Sequence, residues 1–264
     1  MVSRHGQHKM GKTSDQNQAQ ALTRLLRRIN QGADPKRLRK EASQLISCIT
    51  SKDIAVAEQN LIDNGYTPQL AGQLSSVFVL LGILEEQGGN LKDRLPENHI
   101  LRQVLAEHEL IRCFMANFKD VAQAIGKMDH LADTSAEFMK LSHIVEHLNA
   151  MDEHIEREEY IIFPWLKRYG WGSLCRSAHS DHDYIRIAIE DLLRLVGSFN
   201  EENLKEFKAR LNSINKYLCP AMAEHLFHED NILYPIVLGV IDDDKVWKKM
   251  KAVCDQIGFC GVHL

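Results

Sequence analysis

Histidine and glutamate recur together in two eleven-residue stretches that align without gaps, HIEREEYIIFP at 154–164 and HLFHEDNILYP at 225–235. In each stretch a glutamate follows the histidine by four residues, which puts both side chains on one face of a helix. Imidazole nitrogens and carboxylate oxygens so placed can bind a metal ion. A single such pair is a weak signal, but two copies with matching flanks predict a metal site. The four residues are His154, Glu158, His225 and Glu229.

A second motif is also duplicated, because the HELIR segment that begins at His108 resembles the HDYIR segment that begins at His182. The chain order is therefore single histidine, paired motif, single histidine, paired motif. Each copy is predicted to form one helix hairpin. Two hairpins then make an up-down-up-down four-helix bundle with approximate two-fold symmetry.

Two carboxylates and four imidazoles on the inner side of a bundle need partners, because burying an unpaired charge is costly. We identify no arginine or lysine at a matching interior position. Two cations would satisfy all six side chains, and bridging carboxylates suit metal ions about 3.5–4 Å apart. Ligands without thiolate favour iron, with manganese and zinc as alternatives. The predicted ligands are His108, His154, Glu158, His182, His225 and Glu229. The alternative is a duplicated hairpin that carries these residues as exposed surface pairs.

The elements that must position these residues are helical. Runs rich in Leu, Ala, Glu, Lys and Arg dominate the 264 residues, and alternating β-branched runs do not occur, so we expect an all-α fold. Polarity and glycine content divide the chain into a disordered tail, a small helical domain, a linker, the bundle, and a C-terminal helix with its tail. These predicted segments are 1–15, 16–87, 88–96, 97–240 and 241–264.

Within the bundle, the apolar periodicity predicts four long helices, at about 97–126, 134–168, 173–197 and 201–239. A shorter helix is expected at about 243–256. Pro220 lies inside the fourth long helix and is expected to kink it.

Charge, hydropathy and cysteine spacing exclude several classes of protein. The net charge is −4 with 26% charged residues, which argues against a nucleic-acid partner. No run reaches the ~18 apolar residues of a membrane helix, and no apolar leader follows the first residues. None of the six cysteines forms a CxxC pair, and we expect a cytoplasmic protein with buried, reduced thiols. The thiols expected to be buried are Cys48, Cys113, Cys175 and Cys219.

Further side chains are candidates to support the ligands. His147 lies two turns before His154 on the same face, where it either lines the site or serves as a polar core residue. Glu107, Asp183 and Glu159 each adjoin a predicted ligand in sequence. Any of the three can accept the second N–H of a ligand imidazole, and the sequence does not choose among them.

The pattern of these residues resembles a known family. Residues 97–240 resemble the hemerythrin-like (HHE) cation-binding domain, most closely the branch with four histidines and two glutamates that is linked to repair of iron centres. The Phe163-Pro164 and Tyr234-Pro235 endings are also similar to that family. The N-terminal part is similar to a small helical domain of unknown function that often precedes such domains. The GADP segment at 32–35 and the IGFC segment at 257–260 are similar to that architecture as well.

The resemblance implies two non-haem iron ions joined by an oxo or hydroxo bridge. Such a protein would bind or react with O2 or NO, or supply iron to damaged iron–sulfur proteins under oxidative or nitrosative stress. Oxygen-storing hemerythrins carry a fifth histidine four residues before the one on the third helix. Here that position is Ala178, and His179 is one residue out of register. One iron is therefore expected to lack a protein ligand, which argues against simple oxygen storage.

Three other functions are considered. A metal-dependent sensor or regulatory module would signal through the N-terminal helical domain, which is also a candidate homodimer interface. A ferroxidase of the ferritin type would use Glu-x-x-His motifs, whereas this chain has His-x-x-x-Glu. A purely structural bundle would need no metal. The sequence leaves open whether the protein turns over a substrate.

Overall fold

The computed structural model describes residues 8–31, 35–46, 48–83 and 91–257, and every regular element in these ranges is helical. The all-α prediction is therefore confirmed. The chain forms two compact units, which are described separately. The first unit consists of Met1–Leu91, Leu166–Ala178 and Phe227–Val240. The second unit consists of Lys92–Trp165, His179–Leu226 and Ile241–Leu264.

Four helices form the N-terminal part of the first unit: α1 (His8–Asn30), α2 (Pro35–Ile46), α3 (Ser51–Asp63) and α4 (Pro68–Ile83). Their core includes Leu22, Leu26 and Leu61, which are fully buried. A capping box starts α3, in which Thr50 and Asp53 each bind the other's backbone N–H. Gly65 then ends the helix with a φ of 90°, a conformation that glycine adopts without steric cost.

The ends of this region differ from the sequence prediction in one respect. Helix α1 begins at His8, within the segment 1–15 that was expected to be disordered. Lys9, Met10 and Lys12 in its first turns are good helix formers, although this segment has no apolar periodicity. Residues 1–7, 84–90 and 258–264 lie outside the described residues, and 84–90 includes the first three residues of the predicted linker 88–96. Leu91–Arg94, at the end of the linker, forms a 3-10 turn.

The bundle helices are α5 (Ile100–Gly126), α6 (Ala136–Ala150), α7 (Asp152–Arg157), α9 (Gly172–Gly197) and α10 (Leu204–His228), with α8 (Phe163–Arg168) and α11 (Tyr234–Val240) continuing the second and fourth helices. The second unit contains α5, α6 and α7 and most of α9 and α10, whereas α11 belongs to the first unit. Each of four helices contributes a fully buried residue to the bundle core: Phe118, Leu141, Leu192 and Leu218. The predicted bundle is therefore confirmed. The C-terminal helix α12 (Asp244–Ile257) packs against α5 and α7.

Two segments within the long helices are π-helical: the first π turn (Glu158–Ile162) and the second π turn (Glu229–Leu233). Each ends with an i to i−5 bond, from the N–H of Phe163 to Glu158 and from that of Tyr234 to Glu229. A proline follows directly in both copies. Proline lacks an N–H and its ring clashes with an ordinary helical turn, so the helix widens before it. The aromatic-proline endings were the available sequence signal for these turns.

The helix predicted at 134–168 is interrupted once more, at Met151 between α6 and α7. There the N–H of His154 bonds to the carbonyl of Met151 at 3.0 Å, a tight three-residue step. In contrast, α10 continues through Pro220 to His228. In the part of the chain that the structure describes, no helix is both long and apolar enough to cross a membrane.

The cysteine prediction is wrong in part, because Cys48 and Cys113 are exposed and Cys219 is only partly buried. Cys175 and Cys254 are buried, and burial raises the pKa of both thiols to about 12. The thiolate is the nucleophilic form of cysteine, so these two thiols are protected both by position and by protonation.

We therefore expect brief iodoacetamide treatment at pH 8 to modify Cys48 and Cys113 and to leave Cys175 and Cys254 unmodified. Peptide mass spectrometry measures the modified fraction at each position, and the same treatment in urea provides the fully accessible control. Modification of Cys254 in the native protein at the rate of Cys113 would contradict the buried placement.

Candidate metal centre

All six predicted ligands are buried, and none is more than 2% exposed. Four helices carry the histidines: His108 is on α5, His154 on α7, His182 on α9 and His225 on α10. Each glutamate is the first residue of a π turn, Glu158 in the first and Glu229 in the second. The residues that the repeat singled out therefore occupy equivalent positions in the two copies.

These six side chains form two groups that could each hold one metal ion. The first group is His108, His154, Glu158 and Glu229, and the second is Glu158, His182, His225 and Glu229. Within each group, the ligand atoms lie within 4.8 Å of one another. Each group has two imidazoles, and both share the same two carboxylates. Shared carboxylates are the arrangement expected for ligands that bridge two neighbouring ions.

The distances between ligand atoms fit a metal ion. Nε2 of His108 lies 3.1 Å from Nε2 of His154, and Nε2 of His182 lies 3.1 Å from Oε2 of Glu158. Bonds of about 2.1 Å from one ion to two ligands at right angles would put those ligands about 3 Å apart. The same Glu158 oxygen is 3.7 Å from Nε2 of His154. One carboxylate oxygen is therefore close to a histidine of each group.

Carboxylates next to the second nitrogen orient two of the imidazoles. Nδ1 of His154 is 3.0 Å from Glu107, and Nδ1 of His182 is 2.8 Å from Glu159. A carboxylate can only accept, so the Nδ1–H donates and Nε2 keeps its lone pair for a metal ion. Nδ1 of His225 has a looser neighbour, Asp181, at 3.9 Å.

Residues 99–237 match the family model of the hemerythrin HHE cation-binding domain. The chain belongs to this family. Residues 22–81 match a second model, that of a family of unknown function called DUF438. The resemblance to the HHE domain and to a domain of unknown function is thereby confirmed, and the matched ranges lie within the predicted segments 97–240 and 16–87. No curated protein matches the chain.

The other two predicted supporting residues of the HHE domain, Asp183 and His147, lie away from the ligand imidazoles. Asp183 is exposed on α9, and the aspartate near a ligand histidine is Asp181 instead. The sequence did not indicate Asp181, although it precedes His182 as Glu107 precedes His108. His147 stacks on Phe114, with ring centroids 4.4 Å apart, so it has a packing role.

A buried arginine in the HHE domain was missed. Arg157 is fully buried, and its guanidinium bonds to Glu107, so the expectation of no interior arginine or lysine is wrong. It lies one residue before Glu158 in a run of charged residues, which resembles a solvated face in sequence. Burial alone would raise the pKa of Glu107, but the hydrogen bond from His154 and the charge of Arg157 hold that pKa below its ordinary value.

Glu159 and His179 make a smaller group with His182. Burial would raise the pKa of Glu159, but hydrogen bonds from His182 and Arg186 lower it to about 2, so the carboxylate is ionised at neutral pH. Arg186 already supplies a cation there, at 3.0 Å. The side chain of His179 is 56% exposed and bonds to Glu159, and Ala178 provides no ligand. This group therefore supports the imidazole of His182.

Proposed function

We propose that the chain is a non-haem di-iron protein that binds or reacts with O2 or NO, or supplies iron for the repair of damaged iron centres under oxidative or nitrosative stress. One observation carries the proposal: four buried imidazoles form two groups that share two buried carboxylates. A mixed nitrogen and oxygen ligand set without thiolate suits iron, with manganese or zinc as the alternatives.

The ligand count supports a role with small molecules. Each group has two histidines and two shared glutamates, and among the residues that the structure describes neither group has a third histidine. Iron held by few protein ligands keeps positions open for water, O2 or NO. Two adjacent irons would supply electrons to such a ligand, and the family resemblance implies an oxo or hydroxo bridge between them.

The chain's own residues would hold and orient the pair. Glu107 and Glu159 fix the ligand nitrogens of His154 and His182. The ring of Phe163 lies parallel to that of His182, with centroids 5.8 Å apart, and covers one side of this imidazole with apolar surface. Fixed ligands and a dry lining control which molecules reach a metal ion.

A repair role is supported by the same ligand set. Four histidines with two glutamates resemble the branch linked to iron-centre repair, and iron with fewer histidine ligands is more easily given up. Damaged iron–sulfur proteins would accept the iron, and the chain would bind them while it transfers the iron.

The test begins with full-length protein from iron-replete cells, purified without oxygen. We expect about two irons per chain, one for each group, and near-ultraviolet absorption after oxidation. Adding NO or O2 to the reduced protein should change its visible spectrum in proportion to the iron. Mixing the iron-loaded protein with a metal-free iron–sulfur protein and measuring its cluster content separates iron supply from binding of small molecules.

Two controls make the outcome decisive. Glu158→Ala removes a shared ligand and should abolish the spectral change, whereas Glu153→Ala changes an exposed glutamate nearby and should preserve it. The proposal fails if the parent chain takes up no iron. It also fails if iron-loaded protein neither responds to NO or O2 nor transfers iron.

A sensor module is the second candidate, favoured by one contact within the first unit. His228, next to the ligand Glu229, is hydrogen-bonded to Glu58 of the N-terminal domain. A change of metal state would then reach α3. Hydrogen exchange in residues 51–63 should differ among oxidised, reduced and metal-free protein, and equal exchange in all three counts against this function. Light scattering of the same samples tests whether the domain also forms a homodimer.

A further inference from the structure

Glu58 is a carboxylate buried inside the first unit, where it is only 1% exposed. Its Oε1 lies 2.9 Å from Nε2 of His228 and also accepts a hydrogen bond from the hydroxyl of Ser75. Burying a carboxylate is costly unless hydrogen bonds compensate, so removing them would have a large effect. Helix α3 thus places a buried carboxyl group against one histidine, and α4 supplies the hydroxyl that bonds to the same oxygen.

That histidine is adjacent to a predicted metal ligand. His228 directly precedes Glu229 and is the capping residue immediately before the second π turn. A second contact reaches the same turn, because the hydroxyl of Ser51 lies 3.5 Å from the carbonyl of Asn231. On α4, a Cβ at Gly72 would lie 3.7 Å from Nε2 of His228, so the helix backbone approaches the imidazole closely. Both helices therefore constrain the turn that carries Glu229.

The two copies of the duplicated motif differ in the carboxylate that binds the residue before the ligand glutamate. In the first copy, Arg157 precedes the ligand Glu158, and its partner is Glu107 of the bundle itself. In the second copy, His228 occupies the position of Arg157, and its partner is Glu58 of the N-terminal domain. The two copies therefore fix the residue before the ligand glutamate in the same way, but with carboxylates from different domains.

We infer that Glu58 is a positioning residue for Glu229, through which the N-terminal domain controls how tightly the centre holds metal. Anything that moves α3, such as a protein bound to the N-terminal helices, would alter the second π turn and thereby metal retention. Because coupling between two sites is reciprocal, metal binding would stabilise the same contact. This inference rests on the proposed di-iron function.

The experiment compares variants of the full-length, iron-loaded chain by the rate at which a chelator removes iron. Glu58→Met removes the hydrogen-bond acceptor, and we expect release about ten-fold faster, the lower end of the effect of losing a partner outside the ligand set. Glu58→Gln keeps an oxygen for His228 and Ser75 and should remain near the parent rate. Adding Glu58→Met to His228→Leu should have no further effect, since both remove the same contact.

Asp53→Asn serves as the control for stability of the N-terminal domain. It weakens the cap of the same helix but leaves the contact between Glu58 and His228 intact. Iron release should stay at the parent rate in this variant. If Asp53→Asn accelerates release as much as Glu58→Met does, the domain acts only through its stability, and the positioning role is overturned.

Hydrogen exchange of the metal-free protein provides a readout that does not depend on iron. Glu58→Met should accelerate exchange in residues 229–233 and leave the equivalent first π turn, 158–162, unchanged. The inference is overturned if Glu58→Met shows parent-like exchange in residues 229–233. It is also overturned if this variant releases iron at the parent rate. A parent chain that binds no iron would instead sink the proposed function, while the exchange comparison would still test whether Glu58 positions the turn.

Discussion

Glu158→Ala is expected to remove both metal ions, because Glu158 belongs to both ligand groups. Metal content should fall from about two ions per chain to near zero, and affinity should fall well beyond the ~10- to 100-fold lost with a partner outside the ligand set. Elemental analysis after gel filtration measures the loss. The variant should also lose the thermal stabilisation that metal gives the folded state.

His225→Ala provides the comparison with a ligand that is not shared, since His225 belongs to the second group alone. We expect it to retain more metal than Glu158→Ala. Glu153→Ala, an exposed change on α7, should bind metal like the parent chain. If Glu158→Ala kept one full equivalent of metal, the carboxylate would not bridge two ions.

Arg157→Met is expected to destabilise the metal-free protein by about 3–5 kcal/mol, the usual cost of removing one partner of a buried ion pair. Arg157 and Glu107 are both fully buried, so the substitution leaves a carboxylate without its cation in the bundle interior. Urea unfolding of the metal-free chain measures the free energy of unfolding. Measuring the metal-free chain separates the contribution of this ion pair to stability from the contribution of the metal centre.

Glu107→Gln combined with Arg157→Met should be less harmful than Arg157→Met alone, because the double variant leaves no unpaired charge. Arg194→Met is the surface control: the side chain of Arg194 is 67% exposed, and its pair with Asp191 should contribute less than about 1 kcal/mol. Equal effects of Arg157→Met and Arg194→Met would contradict the buried ion pair.

The two halves of the bundle share ligands but differ in their support. Glu107 contacts both His154 and Arg157 in the first half. In the second half these contacts are divided, with Asp181 3.9 Å from His225 and Glu58 bonded to His228. The candidate ligands are therefore arranged symmetrically, but the residues around the two candidate metal positions differ.

The sequence by itself determined the helical class and the six candidate ligands. Helical periodicity is local, so an i to i+4 pair such as His154 and Glu158 necessarily shares a face. The duplication identified the remaining two candidate ligands. Two matching hairpins indicate that the single histidines His108 and His182 accompany the two His-x-x-x-Glu pairs. Both signals depend only on spacing along the chain, and they need no knowledge of tertiary contacts.

Only the tertiary structure decided how the ligands are supported. Arg157 and His228 lie in charged segments that resemble solvated surface in sequence, and their burial depends on carboxylates 50 and 170 residues away, Glu107 and Glu58. Asp181 rather than Asp183 lies near a ligand, because two residues along a helix turn the side chain by about 200° and so to the opposite side. Pairing over such distances is set by helix packing, which spacing within one helix does not encode.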